Sequence, residues 1–364
     1  MTEKTPRSTK EPTTDSAVDR RELLKAGAAL VGGVFVGGLS GCNLIGRGSD
    51  GSEDRVRYGH TDLYVSRLCQ GTAFREMGPT GRSKENELGR RIIQHAIDIG
   101  INFFDTAEAY GWGGAEELLG VAIEGKRDQV VISTKIPETD GLTAPKAPFT
   151  HERIFEHCDA SLRRLGTDYI DIYSLHGEDG VTPPEDIVES MSALVKAGKI
   201  RYWGVSNHEP KQIAPMIAKG LEAGQVPLAS LQDYYNIAAG DRGTFAEKEL
   251  FPMIRAGNLG IMAFSPLAEG RLMRPIEEGN PLGKVRDALD EVAGEIGATR
   301  AQVCVAWSLS HPEITTVLAG AEKVEHVTDN YGGTKIQLPP VAQQRLDFAS
   351  AEYAKAVFGS WTER

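Results

Sequence analysis

The chain has 364 residues, 40% of them hydrophobic and 25% charged, which is enough to bury a large core and lies outside the composition of disordered chains. Its 40 Lys and Arg against 51 Asp and Glu leave a formal net charge of −11; with no basic stripe in view, this excludes nucleic acid as a partner class. The length allows two domains, but α/β barrels of this size commonly form one.

The first 19 residues are polar and rich in Thr, Lys, Pro and Asp, so they read as an unstructured leader. Asp19-Arg20-Arg21-Glu22-Leu23-Leu24-Lys25 then opens a run of fourteen apolar or Gly residues, Ala26 to Leu39, which ends at Ser40-Gly41-Cys42. Such a run falls short of the roughly 20 residues a membrane span needs and suits the apolar region of a signal peptide. The paired arginines resemble a twin-arginine signal, and Leu39-Ser40-Gly41-Cys42 resembles the bacterial lipoprotein box, whose cysteine is acylated after cleavage. Five glycines in the run disfavour the alternative, a retained anchor helix. The chain thus divides into a signal peptide over 1–41, a lipidated tether over 42–54 rich in Gly, Ser and Asp, and one domain over 55–364. Export with a lipid on Cys42 would hold that domain on the outer side of the cytoplasmic membrane or in the periplasm.

Cys69, Cys158 and Cys304 are widely spread and form no Cys-x-x-Cys pair, so neither a disulfide framework nor a metal cluster is indicated. The eight histidines contain no His-Glu-x-x-His or comparable spacing, and no metal is expected.

From Arg57 to Val65 the text is hairpin-like, and Leu68-Cys69-Gln70-Gly71-Thr72 begins a rhythm of short apolar strands and amphipathic helices. Leu88, Ile92, Ala96 and Ile99 step by four, four and three, which places them on one helical face; Ile187, Met191 and Leu194 do the same. Strand candidates stand near residues 68, 101, 130, 170, 200, 228, 260 and 315. Eight parallel strands with intervening helices predict an α/β fold, a (β/α)8 TIM barrel forming a single domain, with its active site at the C-terminal strand ends. A solenoid is excluded by the lack of a fixed short repeat.

Chemistry collects at those strand ends. Ile101-Asn102-Phe103-Phe104 leads into Asp105-Thr106-Ala107-Glu108-Ala109-Tyr110-Gly111, Val130 to Thr134 leads into Lys135, and Tyr169 to Leu175 leads into His176. A phenol titrating near ~10 is a poor acid at neutral pH unless a cation stabilises the phenolate. Lys135 is suited to do this for Tyr110, and Asp105 to keep a buried Lys135 charged. His176 is then placed to hydrogen-bond a substrate oxygen on which charge develops. The Pro- and Gly-rich stretch from Pro137 to Thr150 follows the lysine strand and reads as an access loop. Trp112 is a candidate pocket wall or a rim aromatic.

With Asp105, Tyr110, Lys135 and His176 in this order, each at a strand end, the chain from about Arg55 to about Gly333 resembles an aldo-keto reductase. The resemblance implies a catalytic tetrad of these four and an NAD(P)-dependent exchange of hydride with an aldehyde, ketone or sugar carbonyl, Tyr110 giving or taking the proton. By the same match Ser206, Asn207 and Gln232 would hold the nicotinamide carboxamide and Phe264 would stack on its ring, where many members have Tyr. Ser265, Leu267, Gly270 and Arg271 would follow the pyrophosphate. The segment from Gly320 through Lys323 to Asn330 would meet the adenosine, Asn330 at the adenine. Glu322 departs from the family pattern, standing where a phosphate-binding residue is common. Lys323 suits a 2′-phosphate while Glu322 suits a 2′-hydroxyl, so NADP is the expected cofactor and NAD the alternative. No Gly-x-Gly-x-x-Gly or Walker-type loop occurs, as expected if the barrel itself supplies the site.

Two rival functions remain. One is an exported nicotinamide-binding sensor or subunit of a membrane assembly without turnover, motivated by the absence of a soluble nicotinamide pool outside the cytoplasm. The other is a glycosidase, against which stands the lack of a convincing carboxylate pair.

Overall fold

The computed structural model describes residues 54–75, 82–141, 143–240, 243 and 245–359. The expected signal peptide, Cys42 and the tether up to residue 53 lie outside the described residues.

The described chain opens with an antiparallel hairpin, β1 (Arg55–Arg57) and β2 (Tyr64–Ser66), with Val56 opposite Val65. Eight strands follow: β3 (Leu68–Gly71), β4 (Phe103–Asp105), β5 (Val131–Ile136), β6 (Ile170–Leu175), β7 (Ile200–Ser206), β8 (Ser230–Tyr234), β9 (Gly260–Phe264) and β10 (Thr316–Ala319). Each pairs in parallel with the next, and β10 returns to β3 with Leu318 opposite Cys69, closing the barrel. All eight expected strands are present. β5 and β6 are buried at every position, because helices cover their outer face and the barrel interior their inner one. That is why they read as continuous apolar runs and not as alternation.

The helices are α1 (Glu87–Asp98), α2 (Gly114–Ala122), α3 (His151–Leu165), α4 (Pro184–Lys196), α5 (Pro210–Gly220), α6 (Phe251–Gly257), α7 (Leu282–Ile296), α8 (Arg300–Leu309), α9 (Val324–Gly333) and α10 (Pro340–Phe358). Their ends follow from local chemistry. α3 starts where the Thr150 hydroxyl accepts the Arg153 N–H at 3.2 Å and stops at Gly166, whose φ of +65° favours glycine. In α4 Ile187, Met191 and Leu194 are all buried, as their spacing predicts. α1 differs in phase. Ile92 and Ala96 are buried together with Gly89 and Ile93, whereas Leu88 is 45% exposed. Gly89 is pressed against α2, where a Cβ would stand 2.9 Å from the Leu118 side chain, so the buried stripe passes through residue 89 and leaves 88 outside.

The barrel interior has its own apolar column: Cys69, Phe103, Val131, Ile172, Met262 and Leu318, packed on Tyr58, Leu63 and Val65 of the hairpin segment. Tyr58 fits so tightly over Gly260 that a Cβ there would lie 2.2 Å from its ring, and its hydroxyl shares a 2.7 Å hydrogen bond with Ser230 Oγ. The hairpin thus plugs the N-terminal end of the barrel, and polar side chains gather at the other. Cys69, Cys158 and Cys304 are buried free thiols. Among the described residues no helix is long and apolar enough to cross a membrane.

Candidate active site

Asp105 is the last residue of β4 and Lys135 the penultimate residue of β5. The parallel register sets Asp105 opposite Ser133, so Lys135 lies one inward-facing position above it and reaches back to the carboxylate. Lys135 Nζ stands 2.7 Å from Asp105 Oδ1 and 2.6 Å from Oδ2, and donates to the Thr106 carbonyl at 2.9 Å. The Tyr110 hydroxyl lies 3.5 Å from the same nitrogen. His176 follows β6, its N–H donating to the Ile136 carbonyl at 3.0 Å. Its ring meets that of Tyr110 edge-on, with 5.4 Å between centroids. Four residues separated in sequence therefore meet at one point of the C-terminal mouth.

Their electrostatics are one-sided. Lys135 is 0% exposed and Asp105 1%. Burial disfavours the Lys135 charge, but Asp105 and the Tyr110 hydroxyl outweigh it and hold the ammonium's pKa above the ordinary lysine value. Burial raises the Tyr110 phenol, Lys135 pulls it back and Asp105 pushes it up, with a net rise. Half-buried Tyr110 accordingly keeps its proton at neutral pH while a cation waits beside its oxygen. Burial, and then Lys135 and Arg75, lower His176 to about 3. Its imidazole is therefore neutral across the ordinary pH range and keeps one N–H to donate.

Two residues expected on the cofactor side, Asn207 and Gln232, contact this cluster. Ser206 ends β7. The next residue, Asn207, has a left-handed φ of +59°, and its Nδ2 donates to the His176 carbonyl and to Ser206 Oγ, both at 3.0 Å. Gln232 Nε2 donates to Asp105 Oδ1 at 2.8 Å, a link to the ion pair that sequence reasoning missed. Phe264 ends β9 with its ring edge-on to Tyr234 at 5.5 Å. Beyond it Ser265, Ala268, Glu269 and Gly270 all have positive φ, at +59°, +50°, +58° and +78°. A non-glycine residue held there costs on the order of 1–3 kcal/mol, and such turns form concavities of N–H groups that suit anions. Leu267 lies within this loop, half-buried. Arg271 is braced by the Tyr234 hydroxyl at 3.1 Å and the Ala268 carbonyl at 3.1 Å; Tyr234 was likewise not foreseen. Arg75 and Glu269 approach to 4.0 Å between the loops after β3 and β9.

At the adenosine end Gly320 is exposed, with open space where a Cβ would stand. Lys323 is exposed at the N-cap of α9, where the helix dipole favours an anion. Asn330 is buried within α9, 3% exposed. Trp112, with a φ of +51°, is 40% exposed on the rim. An aromatic ring, a hydroxyl and amide pair, a left-handed loop and a helix N-terminus together fit the parts of a nicotinamide dinucleotide.

Residues 67–350 match the model of the "Aldo/keto reductase family". The methylglyoxal reductase YeaE of Escherichia coli (strain K12) is 32% identical over 294 residues, covering 79% of this chain and 92% of its own. A probable voltage-gated potassium channel subunit beta of Oryza sativa subsp. japonica is 30% identical over 303 residues, covering 75% and 88%. Among solved structures, the aldo-keto reductase AKR11C1 from Bacillus halodurans in its holo form superposes with a TM-score of 0.68 at 26% identity, covering 81% of this chain and 96% of that one. By its closed eight-stranded barrel and by a family match that runs through nearly all of it, this chain belongs to the aldo/keto reductase family, whose members are NAD(P)-dependent oxidoreductases.

Proposed function

We propose that the protein interconverts an aldehyde, ketone or sugar carbonyl with its alcohol, with Tyr110 as the proton donor or acceptor. The observation that carries this is the buried Lys135–Asp105 pair 3.5 Å from the hydroxyl of a half-exposed tyrosine. In reduction the substrate oxygen sits between the Tyr110 hydroxyl and the His176 N–H. Both donors are neutral, so neither must be desolvated as an ion when substrate enters. As negative charge grows on that oxygen the Tyr110 proton moves to it, and Lys135 stabilises the phenolate left behind. Ser206, Asn207 and Gln232 would orient the nicotinamide, Phe264 would cover its ring, and the 265–271 loop with Arg271 would hold the phosphates of a dinucleotide that, when bound, would supply the hydride. A nucleotide-holding subunit without turnover, the alternative, has no use for a buried ammonium beside a phenol. The test is turnover of a panel of small aldehydes, ketones and sugars with reduced nicotinamide. We expect activity in the wild type and its loss in Tyr110→Phe with cofactor binding retained. A silent wild type, or an active variant, would overturn the reading.

NADP is the proposed cofactor, on the strength of Lys323 at the N-terminus of α9. Glu322 opposes a 2′-phosphate, so Glu322→Ser should tighten NADP relative to NAD by about two- to fivefold, the range for partly exposed charges. Equilibrium titration with both nucleotides reads this; an unchanged ratio would mean that Glu322 does not face the ribose.

We further propose export and lipidation, resting on the Arg20-Arg21 pair and the Leu39-to-Cys42 motif alone. Intact mass of the protein from washed membranes should begin at an acylated Cys42; an unprocessed, unlipidated chain would refute it.

A further inference from the structure

Beside the tetrad lies a second polar cluster that the proton-transfer chemistry does not use. Arg153, His157, Ser161 and Arg164 are spaced by four, four and three along α3 and so share one stripe. His157 Nδ1 bonds Glu108 Oε2 at 2.8 Å, and its Nε2 faces Asp140 Oδ1 at 3.7 Å. Glu108 stands two residues before Tyr110 in the turn after β4. Its backbone N–H donates to the Lys135 carbonyl at 3.3 Å, and its carbonyl accepts from Gly113. Asp140 lies in the loop after β5, which runs beside His176: Glu138 in that loop sits so close to Gly177 that a Cβ there would be 3.2 Å from its carboxyl carbon.

We propose that His157 is a positioning residue that ties the Tyr110 turn to the loop beside His176, and that the loop half of the tie loosens, with Arg153 still holding Asp140, when the imidazole loses its charge. The two contacts differ in kind. At 2.8 Å a neutral imidazole still donates to Glu108. At 3.7 Å the attraction to Asp140 depends on a proton at Nε2; without it a lone pair faces a carboxylate. Glu108 receives bonds from His157 and from Arg164 at 3.1 Å, which outweigh burial and hold its carboxyl below the usual range. Arg164 also pairs with Glu116 of α2. Asp140 is held on its other side by Arg153 at 2.7 Å, and that arginine also donates to the Pro137 carbonyl at 2.9 Å. Tyr173 of β6 lies beneath, kept protonated by burial. Of the side-chain types gathered here, imidazole is the one whose ordinary charge change falls between roughly pH 5 and 8.

The kinetic consequence rests on the proposed role of Tyr110. The loop shapes access and the turn carries the chemistry, so losing the Asp140 contact should raise KM and spare kcat. Asp140 is 58% exposed, which limits the effect to about two- to fivefold and makes it sensitive to salt. The experiment compares wild type with His157→Gln, whose amide can still donate to Glu108 but never carries charge. Wild-type KM for a carbonyl substrate should rise as pH passes upward through the imidazole range while kcat stays level, and the variant should show no such step. Hydrogen exchange of the Pro137–Gly141 peptide, corrected for intrinsic rates, reads the tie without turnover: protection should fall with rising pH in the wild type and be independent of pH in the variant. A wild-type exchange rate indifferent to pH, or a pH dependence that survives in His157→Gln, overturns the proposal. Failure of the Tyr110 reading would instead appear as a silent substrate panel or an active Tyr110→Phe, with the exchange result still deciding the tie.

Discussion

Replacing Lys135 by Met is expected to lower turnover by about 10²- to 10⁴-fold, the usual contribution of a positioned acid or base, while the barrel stays folded. Met matches the length of the lysine stem and suits a site that is 0% exposed. What disappears is the ammonium that lies 3.5 Å from the Tyr110 hydroxyl. Burial already raises that phenol, and Lys135 is the largest influence pulling it back. Without it the phenolate left after proton transfer loses the counter-charge beside it. Substrate binding should change far less, because the Tyr110 hydroxyl and the His176 N–H remain as donors. Steady-state rates with a good carbonyl substrate, set beside nucleotide titration of the same variant, check this. Wild-type turnover in Lys135→Met would mean that Tyr110 is not tuned by the lysine.

The barrel, and the meeting of Asp105, Tyr110, Lys135 and His176 at its mouth, were legible in the sequence for the same reason. Parallel strands covered on both faces appear as apolar runs, and an interior charge such as Lys135 stands out at the end of one. Phase within a helix was less legible. Leu88 has the right spacing for the α1 core face, but Gly89 touches the neighbouring helix, and a glycine carries no hydrophobic signal. Contacts made between elements left no trace at all. Gln232 reaches Asp105 across 127 positions, and Tyr234 braces both Phe264 and Arg271 from another strand. The α3 stripe of Arg153, His157 and Arg164 reads in sequence as an ordinary charged helix face; it becomes a tie between two loops only when α3 packs beside the Tyr110 turn. Asn330 matches the family pattern by position, yet its burial depends on how α9 lies against the rest.

Breaking the buried pair from either side should destabilise the protein with opposite dependence on pH. Asp105→Ala leaves the Lys135 ammonium with the Thr106 carbonyl at 2.9 Å and the Tyr110 hydroxyl at 3.5 Å, and near neutral pH should cost about 3–5 kcal/mol. The folded variant must then carry a neutral lysine, while the unfolded chain keeps its proton up to about pH 10. The unfolded state binds more protons, so stability is regained as pH rises. Lys135→Met does the reverse. It leaves the Asp105 carboxylate with the Gln232 amide at 2.8 Å, and the buried acid takes up a proton that an unfolded aspartate, titrating near ~3.9, releases. Here the folded state binds more protons, so stability is best in acid and is lost as pH rises. Combining Asp105→Leu with Lys135→Met removes both charges and should flatten the profile. That variant should fall short of wild type by about 1–3 kcal/mol, the cost of leaving the Gln232 donor without its acceptor. Urea unfolding of the three variants at about pH 5, 7 and 9 measures the slopes. Slopes of the same sign in the two single variants would show that the pair does not sit in the folded protein as two mutually dependent charges.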